Sequence, residues 1–119
     1  YDEQYFSWQK RMGEFGGKIK SNFFKPYIKE YMTVIEFGSG GGYLLKNICA
    51  KEKIGIEIND TARLKAKEIG IHSVKNIREV WPKNFFEIDK EISFEFFDAL
   101  CEIGGAAFDK NSCIIVAYK

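Results

Sequence analysis

The sequence predicts an α/β fold built on a parallel sheet. An apolar segment that begins at Thr33 runs directly into a cluster of glycines that ends at Gly42. Two more short apolar segments, Ile54–Ile58 and Ile71–Val74, follow at distances that leave room for one helix before each. Strands and helices that alternate with short connections form parallel sheets with right-handed crossovers. With 119 residues the chain has the length of one small domain with a single core.

The composition is that of an ordinary globular protein, with 45% hydrophobic and 29% charged residues. The net charge of +1 gives no basic surplus for nucleic acid. No apolar run approaches the roughly 20 residues that a membrane-spanning helix needs. We therefore expect a cytoplasmic protein with neither a nucleic-acid nor a membrane partner, and a homo-oligomer is compatible with this composition.

The cysteines and the single histidine do not form a metal-binding pattern. Cys49, Cys101 and Cys113 are widely spaced, contain no C-x-x-C pair, and are accompanied only by His72. Zinc sites need closely spaced ligands of these types. No metal site is expected, and the thiols are expected to be reduced and mostly buried.

Residues 1–32 are predicted to form a helical N-terminal segment. A first short helix over Glu3–Met12 precedes several glycines, and its aromatic face either packs on the core or forms a lid hinged at Gly16 and Gly17. A second helix is predicted over Ser21–Tyr31, with Pro26 near its first turn.

Two helices are predicted after the glycine cluster. The first covers about Gly42–Lys51. The second is capped by Asn59 or Asp60 and stopped by Gly70. Each helix lies between two of the predicted strands, as a parallel sheet requires.

The pattern changes after Ile77. A largely apolar helix is predicted over Ser93–Gly104, and its composition requires that it be well buried. A turn at 111–112 then leads into Cys113–Tyr118, a continuous apolar run typical of a buried strand.

The glycine cluster fits neither of two common phosphate-binding loops. Lys46 neither follows a glycine nor precedes a serine or threonine, so the cluster is not a P-loop. The dinucleotide fingerprint G-x-G-x-x-G requires glycine where Tyr43 stands. The sequence instead has an acid followed by three alternating glycines: Glu36, Gly38, Gly40 and Gly42.

With Glu57 at the end of the next apolar segment, residues 33–80 resemble the class I S-adenosylmethionine-dependent methyltransferases, closest to the small-molecule and ubiquinone- or menaquinone-type members. The resemblance implies a Rossmann-like sheet in one domain, with 33–80 as the cofactor-binding unit and 81–119 as a C-terminal helix and strand. It also implies S-adenosylmethionine as cofactor and methyl transfer to a small-molecule acceptor.

Several residues are expected to hold that cofactor. Glycines permit close approach of the backbone, and a carboxylate at Glu36 suits a ligand that carries a sulfonium and an ammonium. Glu57 stands where an acid can accept ribose hydroxyls. Ser39 lies within the turn, and by resemblance Ile58 and Ile77 flank the adenine ring. No catalytic residue is identified.

The chain departs from the family where a fourth strand should pair with the first. Between Pro82 and Ser93 only Phe85–Ile88 resembles a strand, and without a neighbour the first strand would be an unprotected sheet edge. Three explanations are open: an internal gap near 84–87, a deletion form that binds cofactor without catalysis, and a minimal domain in which residues 85–92 and 113–118 fill the vacant positions. The gap and the deletion are preferred.

Overall fold

The computed structural model describes residues 3–80, 106–110 and 113–118. Their strands are β1 (Thr33–Phe37), β2 (Glu52–Ile56), β3 (His72–Val74), β4 (Ala106–Lys110) and β5 (Cys113–Tyr118). Their α-helices are α1 (Glu3–Phe24), α2 (Tyr43–Lys46) and α3 (Asp60–Glu68), with short 3-10 helices at Lys25–Tyr27 and Ile77–Glu79. The strands form one sheet in the order β3-β2-β1-β5-β4, so the predicted α/β class is confirmed.

The first three strands are parallel, as predicted. Thr33 lies opposite Glu52 at the start of β1, and Ile54 lies opposite His72 at the start of β3. The carboxyl ends of these strands therefore meet at one edge of the sheet, which is where ligands bind in open α/β sheets.

The sheet as a whole is mixed, so the predicted parallel pairing holds for β1, β2 and β3 but not for β4 and β5. β5 pairs with β1 in antiparallel register, with Ile115 opposite Glu36 and Tyr118 opposite Thr33. β1 is not an unprotected sheet edge, because β5 pairs with it on that side and β4 pairs in turn with β5. Residues 113–118 thus fill the position beside β1. Residues 85–92 and the predicted helix Ser93–Gly104 lie outside the described residues.

The N-terminal segment differs from the two predicted helices. α1 is one continuous helix from Glu3 to Phe24, so the predicted break between a first and a second helix is wrong. Gly17 is instead a packing position, since a Cβ there would lie 2.7 Å from the carbonyl carbon of Tyr43.

The second predicted helix, Ser21–Tyr31, is wrong in its bounds. Its first residues belong to α1, and Pro26 lies in the 3-10 helix that follows. Proline cannot donate the hydrogen bond that would continue an α-helix. Of the apolar residues in this range, Phe24 and Ile28 are buried, whereas Tyr27 and Tyr31 are exposed.

The remaining elements follow the predictions with changed bounds. α2 is a single turn, shorter than predicted, and the side-chain amide of Asn47 donates to the carbonyl of Tyr43 at its end. β2 ends at Ile56 rather than Ile58. α3 is capped by Asn59, whose side chain accepts the amide of Ala62, and Gly70 follows it with a φ of +85°.

The core lies on both faces of the sheet. Beneath the helices, Val34, Ile115 and Leu45 belong to a buried cluster, and a second cluster around Ile35 and Val116 covers the opposite face. Cys49 is exposed, so the expectation of mostly buried thiols is wrong for this residue. Among the described helices, none is long and apolar enough to cross a membrane.

Candidate ligand site at the glycine turn

The glycine turn connects β1 to α2 at the carboxyl edge of the parallel strands. Gly38, Gly40 and Gly42 all have positive φ, at +67°, +55° and +81°. Residues with a Cβ adopt this region only at a cost. At Gly42 there is also no room, because a Cβ would lie 2.9 Å from the side chain of Ile71. The alternating glycines are therefore required by the path of the backbone.

The backbone amides of the turn are largely engaged within the protein. Those of Gly38 and Ser39 donate to the carbonyl of Ile56 at 2.8 and 3.3 Å, and that of Gly42 donates to the carbonyl of Ser39 at 3.0 Å. A phosphate-binding loop instead points its amides at the ligand. The turn is thus tied to β2 and offers few donors to an anion.

Glu57 follows β2 directly and fixes the turn from its neighbour strand. Its Oε1 accepts the amide of Gly40 at 3.0 Å, and its Oε2 accepts the amide of Asn59 at 2.9 Å. An ionised carboxylate has about four acceptor positions, so each oxygen can still accept a further hydrogen bond. Glu57 therefore combines a structural role with the capacity to bind ligand hydroxyls.

Glu36 is a buried acid at the end of β1. Its side chain is only 4% exposed, and among the described residues its Oε1 has no hydrogen-bond partner. Burial raises the pKa of Glu36 to about 8, the positive charge of Lys20 on α1 acts in the opposite direction, and the negative charge of Glu57 raises the pKa further. At neutral pH most molecules accordingly carry a protonated Glu36.

Two serines join Glu36 in a polar cluster beneath the turn. Glu36, Gly55 and Ser73 are neighbours across three strands, so they share one face of the sheet. Ser39 occupies the space that a side chain at Gly55 would fill, because a Cβ there would lie 2.8 Å from the Ser39 Cβ. The hydroxyls of Ser39 and Ser73 are buried and have no hydrogen-bond partner in the described part of the chain.

Sequence reasoning did not find Gly55, Ser73 or Lys20. Gly55 and Ser73 reach the site through strand register, which the apolar pattern does not reveal. Lys20 reaches it because α1 continues past the expected break. The one available signal was Gly55 itself, since an isolated glycine within a strand often marks a close approach of another chain segment.

The two residues that are expected to flank the adenine ring have different environments. Ile58 follows Glu57 and is 76% exposed, which leaves its side chain available to a ligand. Ile77 lies in the second 3-10 helix and packs against the cluster around Ile35. Their role in binding adenine stays a prediction.

The site resembles no metal centre. No group of three or more potential ligand side chains occurs within the described residues, and His72 is exposed at the start of β3.

No protein-family model, curated protein or solved structure matches this chain. Its chemistry therefore has to be inferred from its own residues.

Proposed function

We propose that the glycine turn binds S-adenosylmethionine and that the protein transfers its methyl group to a small-molecule acceptor. The observation that carries the proposal is the buried Glu36 carboxyl with an unpartnered oxygen, close to the second acid, Glu57. Two acids at the ends of adjacent parallel strands favour a ligand that has a positive charge and hydroxyl groups. S-adenosylmethionine has a sulfonium, an ammonium and a ribose.

The engaged amides of the turn support this choice over a dinucleotide. A pyrophosphate needs free backbone donors and is repelled by nearby carboxylates. Here the amides of Gly38, Ser39 and Gly42 bond to backbone carbonyls. Gly40 donates to Glu57 itself. A nicotinamide-dependent oxidoreductase is for these reasons the weaker hypothesis.

Each acid has a separate role in the proposed site. Glu36 pairs its free oxygen with the ammonium group, and Glu57 accepts the ribose hydroxyls with lone pairs that Gly40 and Asn59 leave unused. The cofactor supplies an electrophilic methyl group when bound. The protein contributes binding and orientation, which can lower the barrier of a bimolecular step by several kcal/mol.

A non-catalytic S-adenosylmethionine-binding or interaction module is the second candidate. The position of β5 favours it, because β5 lies antiparallel to β1 where the methyltransferase resemblance implies a strand that carries acceptor-side residues. The two candidates share the cofactor site and differ only in turnover.

Calorimetry tests the cofactor claim. Wild-type protein is expected to bind S-adenosylmethionine and its demethylated product, and Glu57→Ala is expected to weaken binding at least tenfold. Glu30→Gln, which changes an exposed acid on the connection between α1 and β1, is the matched control and should bind like wild type. Absence of binding by the wild type would contradict the proposal.

Transfer of a labelled methyl group separates the two candidates. Turnover with any member of a panel of phenol, amine and quinol acceptors supports the methyltransferase. Binding of the cofactor without turnover across the panel favours the non-catalytic module.

A further inference from the structure

Large apolar side chains form a continuous exposed stripe along α1. They recur every three or four residues and so lie on one face of the helix. Their exposed fractions are 54% for Trp8, 55% for Met12, 68% for Phe15, 54% for Ile19 and 40% for Phe23. We call these five residues the α1 stripe. Contiguous apolar surface of this kind marks an interaction site, whereas single exposed apolar residues do not.

The opposite face of α1 makes the contact with the rest of the protein. Gly17 and Ser21 are buried there together with Phe24 at the end of the helix. A helix that only covers its own core places its large apolar residues inward. α1 buries Phe24 but exposes the five residues of the stripe, of which Phe23 contacts the rings of Phe24 and Tyr27. Burial in the core therefore does not explain why the stripe is apolar.

The charges of α1 are unequally placed around the stripe. Arg11 and Lys18 lie along one border, by the 100° rotation per residue of an α-helix. The two acids lie further round, toward the other helices. Glu3 contacts Lys65 of α3 at 3.8 Å. The pKa of Tyr43 on α2 is raised by burial and, to a smaller extent, by the negative charge of Glu14. One border of the stripe is therefore positive, and Glu14 lies beyond it.

We propose that the α1 stripe docks on an anionic lipid surface, with the helix lying in the plane of the headgroups. Helices that bind in this way combine tryptophan and phenylalanine on one face with lysine and arginine beside it. The 22 residues of α1 present such a face over a length of about 33 Å. The expectation of no membrane partner was based on the absence of a spanning segment, which this mode of binding does not need.

A second copy of the chain is the less suitable occupant. Five side chains that each expose roughly 100 Å² would bury about 1,000 Å² between two copies, at the lower limit for a specific interface. An antiparallel pair of α1 helices would also bring Arg11 of one copy near Lys18 of the other, and like charges repel. A lipid surface with negative headgroups meets neither difficulty.

Vesicle flotation with the full chain tests the proposal. Vesicles of phosphatidylcholine with 30% phosphatidylserine are compared with vesicles of phosphatidylcholine alone, using the wild type, the double variant Phe15→Gln/Ile19→Gln, and Arg11→Gln/Lys18→Gln. Leu64→Gln is the matched control, because Leu64 is 60% exposed and belongs to α3 rather than to the stripe. Circular dichroism confirms that each variant is folded.

We expect the wild type and Leu64→Gln to bind the phosphatidylserine vesicles at least tenfold more strongly than the neutral ones. Both double variants should lose at least tenfold in that binding. No binding by the wild type, or equal loss in Leu64→Gln, would overturn the proposal. A wild-type dimer in sedimentation that Phe15→Gln/Ile19→Gln dissociates, without vesicle binding, would assign the stripe to a second copy instead.

Discussion

The Glu57 carboxylate holds the glycine turn through the amide of Gly40, at 3.0 Å. Its other oxygen accepts the amide of Asn59, which is also the N-cap of α3. One side chain at the end of β2 thus fixes both the turn before α2 and the start of the next helix. These two hydrogen bonds hold the Glu57 carboxylate in position before a ligand hydroxyl donates to it.

Removal of this carboxylate should loosen both segments. We expect Glu57→Ala to lower the free energy of unfolding by about 1–3 kcal/mol, because two backbone amides lose their acceptor. Hydrogen exchange at Gly40 and Asn59 should accelerate, as measured by NMR, while exchange in β1 changes little. Glu57→Gln keeps one acceptor oxygen. Its free energy of unfolding and its exchange rates should therefore lie between those of Glu57→Ala and the wild type. Unchanged exchange at both amides in Glu57→Ala would contradict this role.

Glu36 should make the protein less stable as the pH rises. The pKa of this carboxyl is 4.5 in an exposed chain and about 8 in the folded protein. Between these values the folded state keeps a proton that the unfolded chain has released, so stability falls by up to about 1.4 kcal/mol per pH unit. Below about pH 4.5 and above about pH 8 the contribution of Glu36 to stability no longer changes with pH.

Urea denaturation at several pH values measures this effect. Glu36→Gln should remove the slope that the carboxyl contributes and should be more stable than the wild type at pH 8, by about 2 kcal/mol or more. Equal slopes in the two proteins between pH 5 and 8 would show that Glu36 ionises normally in the folded state.

Binding of a cation at Glu36 should release a proton. At pH 7 the carboxyl is mostly protonated, and an ammonium group beside it favours the ionised form. Calorimetry with S-adenosylmethionine in two buffers of different ionisation enthalpy should report close to one proton released per ligand in the wild type. Glu36→Gln should release none. Equal proton release by the wild type and Glu36→Gln would show that the ammonium group does not bind beside Glu36.

Substitution by alanine should change the stability of the protein in opposite directions at two neighbouring glycines of α1. Gly16 has no atom within 4 Å of its would-be Cβ, so Gly16→Ala should stabilise the helix by about 0.5–1 kcal/mol. Gly17 lies against the backbone of Tyr43, and Gly17→Ala should destabilise the protein by about 1–3 kcal/mol. Thermal and urea unfolding measure both changes. Stabilisation by both variants would mean that α1 does not pack closely on α2.

Gly55 should be similarly intolerant, with an effect on the ligand site. A Cβ at this position would collide with Ser39, so Gly55→Ala should displace the glycine turn and destabilise the protein by about 1–3 kcal/mol. Gly55→Ala/Ser39→Gly, which restores the space, should recover part of the lost stability. Additive losses in the double variant would indicate that the two residues do not compete for space.

The sequence predicted the region from Thr33 to Val74 well, because its signals are local. An apolar run, alternating glycines and the cap at Asn59 each specify their own segment, and the structure confirms the order of strands and helices there. The acids at the strand ends could be located for the same reason. Their hydrogen bonds could not, since Gly40 and Glu57 are distant in sequence.

The break in the N-terminal helix was predicted wrongly and the neighbour of β1 was left open, in both cases for non-local reasons. Three glycines argued for a break in α1, yet Gly17 is favoured there by its contact with Tyr43, which outweighs its low helix propensity. The antiparallel pairing of Ile115 with Glu36 depends on the register between two distant segments. An apolar run alone specifies neither the strand it pairs with nor whether the pairing is parallel or antiparallel.

The pairing of β5 with β1 also has a kinetic consequence. The parallel unit of β1, β2 and β3 consists of contacts between neighbouring segments, which form quickly, whereas β1 receives its other neighbour from a strand roughly eighty residues later. Closing such a long loop costs entropy before any hydrogen bond forms. The central strand should therefore acquire its second partner late in folding, and until then its open side is prone to misassociation.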